Sequence, residues 1–292
     1  RDLVRSRGLG DVYKRQLLQF TLPMLAGSLL QQCYNIADTL IVGQCIGANA
    51  LAAVGSAYTL MVFLISILLG LSMGSGTVFS LQYGAEDLSA LRRSIYVSFL
   101  LIGTVTILLN VAVFLWLDPI LRWLQVPYDV YPLMRNYLWI IFWGIVFTFL
   151  YNFYAALLRA VGDSVTPLWF LAVSVVLNIG LDLFLILVLD QGIEGAAVAT
   201  VIAQGTAASG ILLYTYKTRP ELRLHREDMC FDRSSLREIT SFSTLTCVQQ
   251  SVMNFGILMV QGLVNSFGTV VMAAFAAAVT VSYTHLRAQR PY

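Results

Sequence analysis

Residues 52–80 have the sequence AAVGSAYTLMVFLISILLGLSMGSGTVFS, in which no position carries a charged side chain. A helix needs about 20 mostly apolar residues to cross the hydrocarbon core of a bilayer, and this stretch is long enough. Polar and apolar residues do not alternate along it, as they would in the strands of a membrane barrel. The stretch therefore predicts a transmembrane α-helix.

Six other complete stretches of this kind, and the beginning of another, lie elsewhere in the chain. The complete ones cover residues 17–42, 94–117, 136–157, 167–189, 195–216 and 240–264, and the last begins near Gly268 and is cut off at Val281. The composition agrees, with 58% hydrophobic and 12% charged residues and a mean hydropathy of +0.75, whereas soluble domains have about 25% charged residues. The predicted fold class is an all-α polytopic membrane protein.

The two ends of the chain differ abruptly in composition from the apolar stretches beside them. Residues 1–16 and 282–292 are polar and basic, and neither end has the apolar core and cleavage site of a signal peptide. We interpret both as non-native, adapter-like sequence, with a genuine basic amphipathic terminus as the alternative. On this interpretation the chain is a fragment of a longer protein.

Lysine and arginine are unevenly divided between the two sets of loops that connect the predicted helices. Loops rich in these residues stay in the cytoplasm. Nine lie in one set, namely Arg92, Arg93, Arg159, Lys217, Arg219, Arg223, Arg226, Arg233 and Arg237, and two in the other, Arg122 and Arg135. The chain is therefore predicted to be a multi-pass protein of the plasma or inner membrane with a cytoplasmic N-terminus.

A weak internal repeat divides the chain into two lobes. Residues 47–54, GANALAAV, resemble residues 268–275, GTVVMAAF, and the offset of 221 residues (268 − 47) spans six predicted helices. We predict a six-helix lobe at 17–216, a cytoplasmic linker between the lobes at 217–239, and the start of a second, truncated lobe at 240–281. Repeats of this kind are common in transporters, where the substrate site lies between them.

Only two charged residues, Asp38 and Asp182, lie within the predicted spans. A charge at the centre of a membrane helix costs about 2.5–3.5 kcal/mol or more, so such residues indicate a functional site. Both lie at a similar depth, roughly 6 and 10 Å from the same side at about 1.5 Å per residue. Asn178 lies one turn from Asp182 on the same helical face, and Thr200 in the sixth span could add a hydroxyl.

The two carboxylates could bind either a proton or Na⁺, whose movement across the membrane would be coupled to transport. Burial and a like-charged neighbour both favour the protonated form, so the pair could hold a proton near neutral pH and release it when water enters. The same oxygens, with those of Asn178 and Thr200, could instead coordinate Na⁺. A structural alternative is that both acids serve helix packing. Pro23 and Asn35, in the first span, are candidate hinge or cavity positions, since a proline can kink a helix.

Other motifs do not support an enzyme. Gly70, Ser72 and Gly74 match the nucleophile motif G-x-S-x-G, but the only histidines, His225 and His285, lie outside the spans, and the motif lies within a span instead of at a strand-to-helix turn. The spacing fits a G-x-x-x-G helix-packing face. No phosphate-binding loop, zinc motif or nucleic-acid-binding stripe occurs. We expect no enzyme activity, no cofactor besides the coupling ion, no resident metal and no nucleic-acid partner.

Four motifs, in order along the chain, resemble the multidrug and toxic compound extrusion (MATE) family. They are QQCYNIADTLIVGQCIGANALAAVG at 31–55, LLRAVGDSVTP at 157–167, NIGLDLF at 178–184 and GIEGAAVATVIAQ at 192–204. The resemblance extends over about residues 17–281. The family has twelve helices, so this chain would hold the complete first lobe and only the beginning of the second.

The resemblance implies two six-helix lobes that alternate in access, and export of cationic or amphipathic drugs against H⁺ or Na⁺. It assigns Asp38, Asn178, Asp182 and Thr200 to the ion site of the first lobe. It also implies a monomer in the lipid bilayer. The alternative is a lipid-linked oligosaccharide flippase of the same wider superfamily. A flippase cavity should need basic residues for a pyrophosphate group, and the visible spans contain none.

Overall fold

The computed structural model describes the backbone of residues 2–225, 228 and 232–288, and the side chains of residues 21–225, 228 and 232–278. Within these ranges the chain consists of helices and short connections, without a β-strand. The helices are α1 (Asp2–Cys45), α2 (Ala48–Gly84), α3 (Leu88–Trp123), α4 (Tyr131–Trp143), α5 (Ile145–Ala160), α6 (Val165–Leu183), α7 (Gly192–Thr218), α8 (Arg233–Ser266) and α9 (Thr269–Ala288). A π-helical turn (Phe184–Val188) extends α6, and a 3₁₀ turn (Pro220–Leu222) follows α7.

Each predicted span corresponds to a helix or a broken helix in the structure. Five helices, α2, α3, α6 with its π turn, α7 and α8, are long and apolar enough to cross a membrane. The pair α4 and α5 makes a sixth span if its 48° bend is counted within one crossing. The described apolar part of α9, Thr269–Ala278, is shorter. The all-α membrane fold is confirmed.

The predicted boundaries of the two non-native ends, at residues 16 and 281, lie inside helices. The backbone continues as α1 from Asp2 through residue 16 and as α9 through residue 281 to Ala288. The side chains of residues 1–20 and 279–292 lie outside the described ones. The interpretation of both ends as non-native sequence stays a prediction.

Both α7 and α8 extend into the segment 217–239 that was predicted as the linker between the lobes. α7 continues to Thr218, and α8 begins at Arg233. The Asp232 carboxylate caps α8, because it accepts hydrogen bonds from the backbone N–H groups of Ser234 at 3.0 Å and Ser235 at 3.2 Å. Such a cap satisfies donors that a helix end leaves free. The charged residues at 233–238 are therefore the first turns of a helix.

We call the side of the helix bundle with residues 85–87, 161–164 and 219–225 the linker side, and the side with residues 46–47, 124–130 and 189–191 the opposite side. On the linker side, Arg92 Nε lies 2.8 Å from Asp228 Oδ2, and an Arg219 nitrogen lies 3.7 Å from Asp163 Oδ2. These ion pairs join the linker to α3 and to the α5–α6 connection.

Residues of two other helices contact the bend between α4 and α5. Gly144 separates the helices, and a Cβ atom at this position would lie 2.8 Å from Val201 Cγ2 in α7, so a larger residue would push α7 away. A sharp bend interrupts the helical hydrogen bonds. Asn110 Nδ2 donates to the Phe142 carbonyl oxygen at 3.0 Å, which satisfies an acceptor beside the bend.

The two lobes meet along a seam between α2 and α8. A Cβ atom at Gly70 or Gly74 would collide with the backbone Cα of Cys247 or Ser243, respectively. The helices can approach this closely because both glycines lack a side chain. The Ser243 hydroxyl donates to the Leu71 carbonyl oxygen at 3.2 Å. The predicted packing face of Gly70 and Gly74 is confirmed.

Nearer the opposite side, the seam contains a buried cluster of polar side chains, which we call the amide cluster. Gln261 Nε2 donates to Ser56 Oγ and to Asn265 Oδ1, both at 2.8 Å. The Ser56 hydroxyl donates to Asn265 Oδ1 at 2.8 Å, and Asn265 Nδ2 donates to the Leu124 carbonyl oxygen at 2.8 Å. Thr59 donates to Gln261 Oε1 at 3.3 Å. Each amide therefore has a partner for both its donor and its acceptor.

Candidate coupling site

The candidate site lies where α1, α6 and α7 meet. α1 supplies Asp38, α6 supplies Asn178 and Asp182, and α7 supplies Thr200. The sequence of α7 allows close packing, because a Cβ atom at Gly195 would lie 3.2 Å from Leu185 Cβ. Small residues in membrane helices permit such approaches. The three predicted spans thus bring their polar side chains to one place within the first lobe.

Asp182 is fully buried, with none of its surface exposed. With its amide nitrogen facing the carboxylate, Asn178 donates to Asp182 Oδ2 at 2.9 Å, and its amide oxygen accepts from the Thr200 N–H at 3.2 Å. The other carboxylate oxygen, Asp182 Oδ1, has no hydrogen-bond partner among the described residues. One oxygen of Asp182 is therefore hydrogen-bonded to a neighbour, and the other is not.

Asp38 is also buried, with 8% of its surface exposed. Its Oδ1 atom has no hydrogen-bond partner in the described part of the chain. Asp38 and Asp182 lie close enough for their charges to interact. Two neighbouring carboxylates repel each other when both are ionised, so the site favours binding of a cation or a proton.

Thr200 connects the helices of the site. Its hydroxyl lies 3.3 Å from the Tyr34 hydroxyl of α1 and donates to the Ala196 carbonyl oxygen, one turn earlier in α7, at 3.0 Å. It is 4% exposed. The threonine therefore contributes an oxygen at the point where α1 approaches α7.

Asn35 and Pro23 lie elsewhere on α1. Asn35 Nδ2 donates to the Tyr58 hydroxyl of α2 at 3.2 Å, and no direct hydrogen bond from Asn35 to Asp38 or Asp182 occurs between the described side chains. Asn35 therefore contacts the neighbouring helix of the lobe. Pro23 lies inside α1, which continues through it without a break in helix assignment. Its role as a hinge stays a prediction.

Two tyrosines of the site were not found from the sequence. Tyr34 is half-buried one turn before Asp38, and this spacing of four residues would have identified it as a neighbour on the same face. Tyr137, in α4, is 5% exposed and lies in the neighbourhood of Asp38, Tyr34 and Asp182. The sequence around Tyr137 did not indicate a site residue, because tyrosines are common in membrane helices.

The arrangement suits a hard cation or a proton. Carboxylate, amide and hydroxyl oxygens are the ligands that hard cations prefer, and Asp38, Asp182, Asn178 and Thr200 supply all three types. Groups of three or more His, Cys, Asp or Glu side chains that could hold a metal ion do not occur among the described residues. A cation here would be held by two carboxylates and neutral oxygens.

Comparison with known proteins gives a consistent result. The MatE family model matches residues 23–184. The chain is 35% identical over 268 residues to "Probable multidrug resistance protein YpnP" of Bacillus subtilis, covering 92% of this chain and 60% of that protein. It is 28% identical to "Multidrug export protein MepA" of Staphylococcus aureus, covering 89% of this chain and 58% of that protein.

A solved structure has the same fold. The structure of the "MATE multidrug transporter DinF-BH" superimposes with a TM-score of 0.84 at 24% identity, covering 91% of this chain and 60% of that one. The chain thus spans about 60% of the length of these two relatives. At this level of identity the structural likeness concerns the fold.

Proposed function

The chain belongs to the MatE family, and on this premise we propose that it is part of a secondary active multidrug exporter driven by cation antiport. The exported compounds are cationic or amphipathic small molecules, and the coupling ion is H⁺ or Na⁺. The observation that carries the proposal is the pair Asp38 and Asp182, each buried and each with one carboxylate oxygen unpartnered among the described residues.

The proposed mechanism is competition within the first lobe. A drug cation and the coupling ion are both attracted by the same negative charge, so binding of one lowers the affinity for the other. Ion binding neutralises the repulsion between Asp38 and Asp182 and changes the packing of α1 against α6 and α7. A ligand can shift a two-state transporter only if it binds the two states with different affinity, and the carboxylate pair supplies that difference.

We also propose the membrane, the orientation and the oligomeric state of the protein. We assign it to the plasma or inner membrane as a multi-pass monomer with a cytoplasmic N-terminus. The excess of Lys and Arg on the linker side supports this orientation. The partners are the lipid bilayer and the exported small molecules.

The test uses the complete transporter that contains this chain, in everted membrane vesicles with an imposed pH gradient. Ethidium is added as an organic cation, and collapse of the gradient is followed with a fluorescent dye, with Na⁺ varied in parallel. Asp38→Asn is compared with Asp129→Asn, because Asp129 is a carboxylate of the exposed 124–130 connection. Both variants are checked for expression.

H⁺ coupling predicts that ethidium collapses the gradient with wild-type protein and Asp129→Asn and that Asp38→Asn has no effect. Na⁺ coupling predicts that only a sodium gradient drives ethidium export, again lost in Asp38→Asn. Wild-type efflux by Asp38→Asn would contradict the role of the carboxylate. Absence of any response to either gradient in wild-type vesicles would contradict drug antiport and favour the flippase.

A further inference from the structure

The broken span made of α4 and α5 packs along α7, the helix that supplies Thr200 to the coupling site. Asn136 Nδ2 of α4 donates to Glu194 Oε1 of α7 at 2.9 Å. The Thr148 hydroxyl of α5 donates to Gln204 Oε1 of α7 at 2.7 Å. Thr200 lies between these two contacts along α7, so the broken span holds the part of α7 that carries it.

The close approach of α5 to α7 occurs directly beside Thr200. A Cβ atom at Gly144 would lie 2.8 Å from Val201 Cγ2, and Val201 follows Thr200 in the sequence. A valine in a helix has one strongly preferred χ1 rotamer, so the side chain of Val201 does not turn away at low cost and α7 would have to shift instead. Gly144 therefore determines how far Thr200 reaches into the coupling site.

On the other side of the bend, Asn110 of α3 holds the end of α4. Its Nδ2 atom donates to the Phe142 carbonyl oxygen at 3.0 Å, and its buried Oδ1 atom has no partner in the described structure. The last four carbonyl groups of a helix have no partner within it, and that of Phe142 is one of them. A polar side chain within a membrane helix is costly, and the group of Asn110 that is used here is its donor.

α4 carries Tyr137 to the carboxylates of the coupling site. Tyr137 is buried and lies in the neighbourhood of Asp38 and Asp182. It precedes Phe142 by roughly 8 Å along the helix at about 1.5 Å per residue. Because both residues belong to one helix of 13 residues, a displacement of α4 at Phe142 also displaces Tyr137. The two arms of the bend thus reach the coupling site at Tyr137 and at Thr200.

We propose that Asn110 and Gly144 are positioning residues for the coupling ion, which act through Tyr137 and Thr200. They hold these two side chains at the separation at which the carboxylate pair binds a small cation or a proton. Loss of the Asn110 donor releases the end of α4, and a side chain at position 144 pushes α7 away. Each change widens the site and lowers its affinity for the ion. This inference rests on the proposed cation antiport.

The test measures ion affinity and stability separately, with the purified complete transporter that contains this chain. Bound ethidium is displaced by titration with Na⁺ and, in a second series, with protons, and the half-saturating ion concentration is determined. The thermal midpoint of the same samples is recorded. The variants are Asn110→Leu, which keeps the size of the side chain and removes the donor, and Gly144→Ala, which adds the single Cβ atom.

Each variant has a matched control in α3. Thr106→Val removes a buried hydroxyl one turn from Asn110, and this hydroxyl donates within its own helix, to the Ile102 carbonyl oxygen at 2.7 Å. Gly103→Ala adds a Cβ atom that would lie 3.8 Å from the Phe149 ring of α5, which is an ordinary contact distance. Neither control changes a contact of the bend.

Asn110→Leu and Gly144→Ala should each raise the half-saturating ion concentration about threefold or more, because a binding site tolerates displacements of its groups of only about 0.5 Å. The two controls should keep the wild-type value. A purely structural role would lower the thermal midpoint and leave the ion affinity of the folded protein unchanged, which would overturn the inference, as would equal shifts in the controls. If Asn110→Leu does not fold, Gly144→Ala decides the question. If neither ion displaces ethidium from wild-type protein, the proposed antiport itself fails, and this inference fails with it.

Discussion

The candidate coupling site and the amide cluster both bury polar side chains between helices, but they use their hydrogen-bonding capacity differently. In the amide cluster, Gln261 and Asn265 have partners for donor and acceptor, and the Leu124 carbonyl oxygen is also satisfied. In the coupling site, Asp38 and Asp182 each retain one carboxylate oxygen without a partner in the described structure. The first arrangement is complete within the protein, and the second is suited to an exchangeable ligand.

We relate this difference to two roles: the amide cluster stabilises the fold, and the coupling site serves function. Buried polar groups that are fully hydrogen-bonded hold helices in one geometry, and loss of a single partner leaves the others unsatisfied. A buried carboxylate without partners costs free energy and is retained for another reason. We therefore expect substitutions in the seam to lower stability, and neutral substitutions in the coupling site to abolish transport while the fold is kept.

The largest effect is expected at the small residues of the seam. Gly74→Val places side-chain atoms against the backbone of Ser243, so α2 and α8 cannot approach each other. We expect loss of monodisperse, folded protein in size-exclusion chromatography. Gly256→Val, at a glycine of α8 with no described atom within 4 Å of its added Cβ, is the control and should keep most of the folded fraction. Normal elution of Gly74→Val would show that the seam does not hold the lobes together.

The next effect concerns transport alone. Asp182→Asn keeps the shape of the side chain and removes a charge that costs about 2.5–3.5 kcal/mol or more inside a membrane helix. We expect cellular ethidium accumulation to rise to the level of cells without the transporter, while the thermal midpoint stays equal or increases. A large fall in the thermal midpoint would show that Asp182 stabilises the fold, as the amide cluster does.

A smaller effect is expected in the amide cluster. Asn265→Leu removes the donor to the Leu124 carbonyl oxygen and the acceptor of the Ser56 hydroxyl, while Gln261 keeps its hydrogen bonds with Ser56 and Thr59. An unsatisfied buried group costs about 1–3 kcal/mol, so the thermal midpoint should fall by several degrees while ion coupling of the remaining folded protein is unchanged. Thr246→Val is the control, because the Thr246 hydroxyl donates only within its own helix, to the Phe242 carbonyl oxygen. Equal thermal midpoints for the two variants would contradict the role of the cluster.

The smallest effect is expected for a carboxylate outside the membrane. The Ala90 N–H and the Ser89 hydroxyl donate to Asp87 at 2.9 and 2.8 Å, and these hydrogen bonds lower the pKa of Asp87 from its ordinary value of 3.8. Its stabilising effect is therefore present above pH 3.8 and is lost as the pH falls through the lowered value. Asp87→Asn should slightly flatten the acid side of a stability–pH curve. A change above pH 5 would contradict this assignment.

The sequence was sufficient to predict the helices, and it indicated four polar residues that the structure brings together; their role in ion coupling stays a prediction. Charged residues stand out in apolar stretches, so Asp38 and Asp182 were identifiable, and helical spacing added Asn178. Tyr137 was missed because its contact with the site depends on how α4 packs. The bend at Gly144 depends on Asn110 and Val201 in other helices, which no local pattern indicates. The charged first turns of α8 were assigned to the linker because they resembled one, although Asp is a typical residue to cap a helix, as Asp232 does here.

The most direct test of the central claim is ion release from the purified complete transporter when drug binds. Ethidium is added in weakly buffered solution, and released protons and Na⁺ are measured for wild-type protein, Asp38→Asn and Asp182→Asn. Competition at the carboxylate pair predicts that wild-type protein releases one of the two ions as drug binds and that each variant releases neither. Drug binding by wild-type protein without release of either ion, or undiminished release by both variants, would contradict the claim.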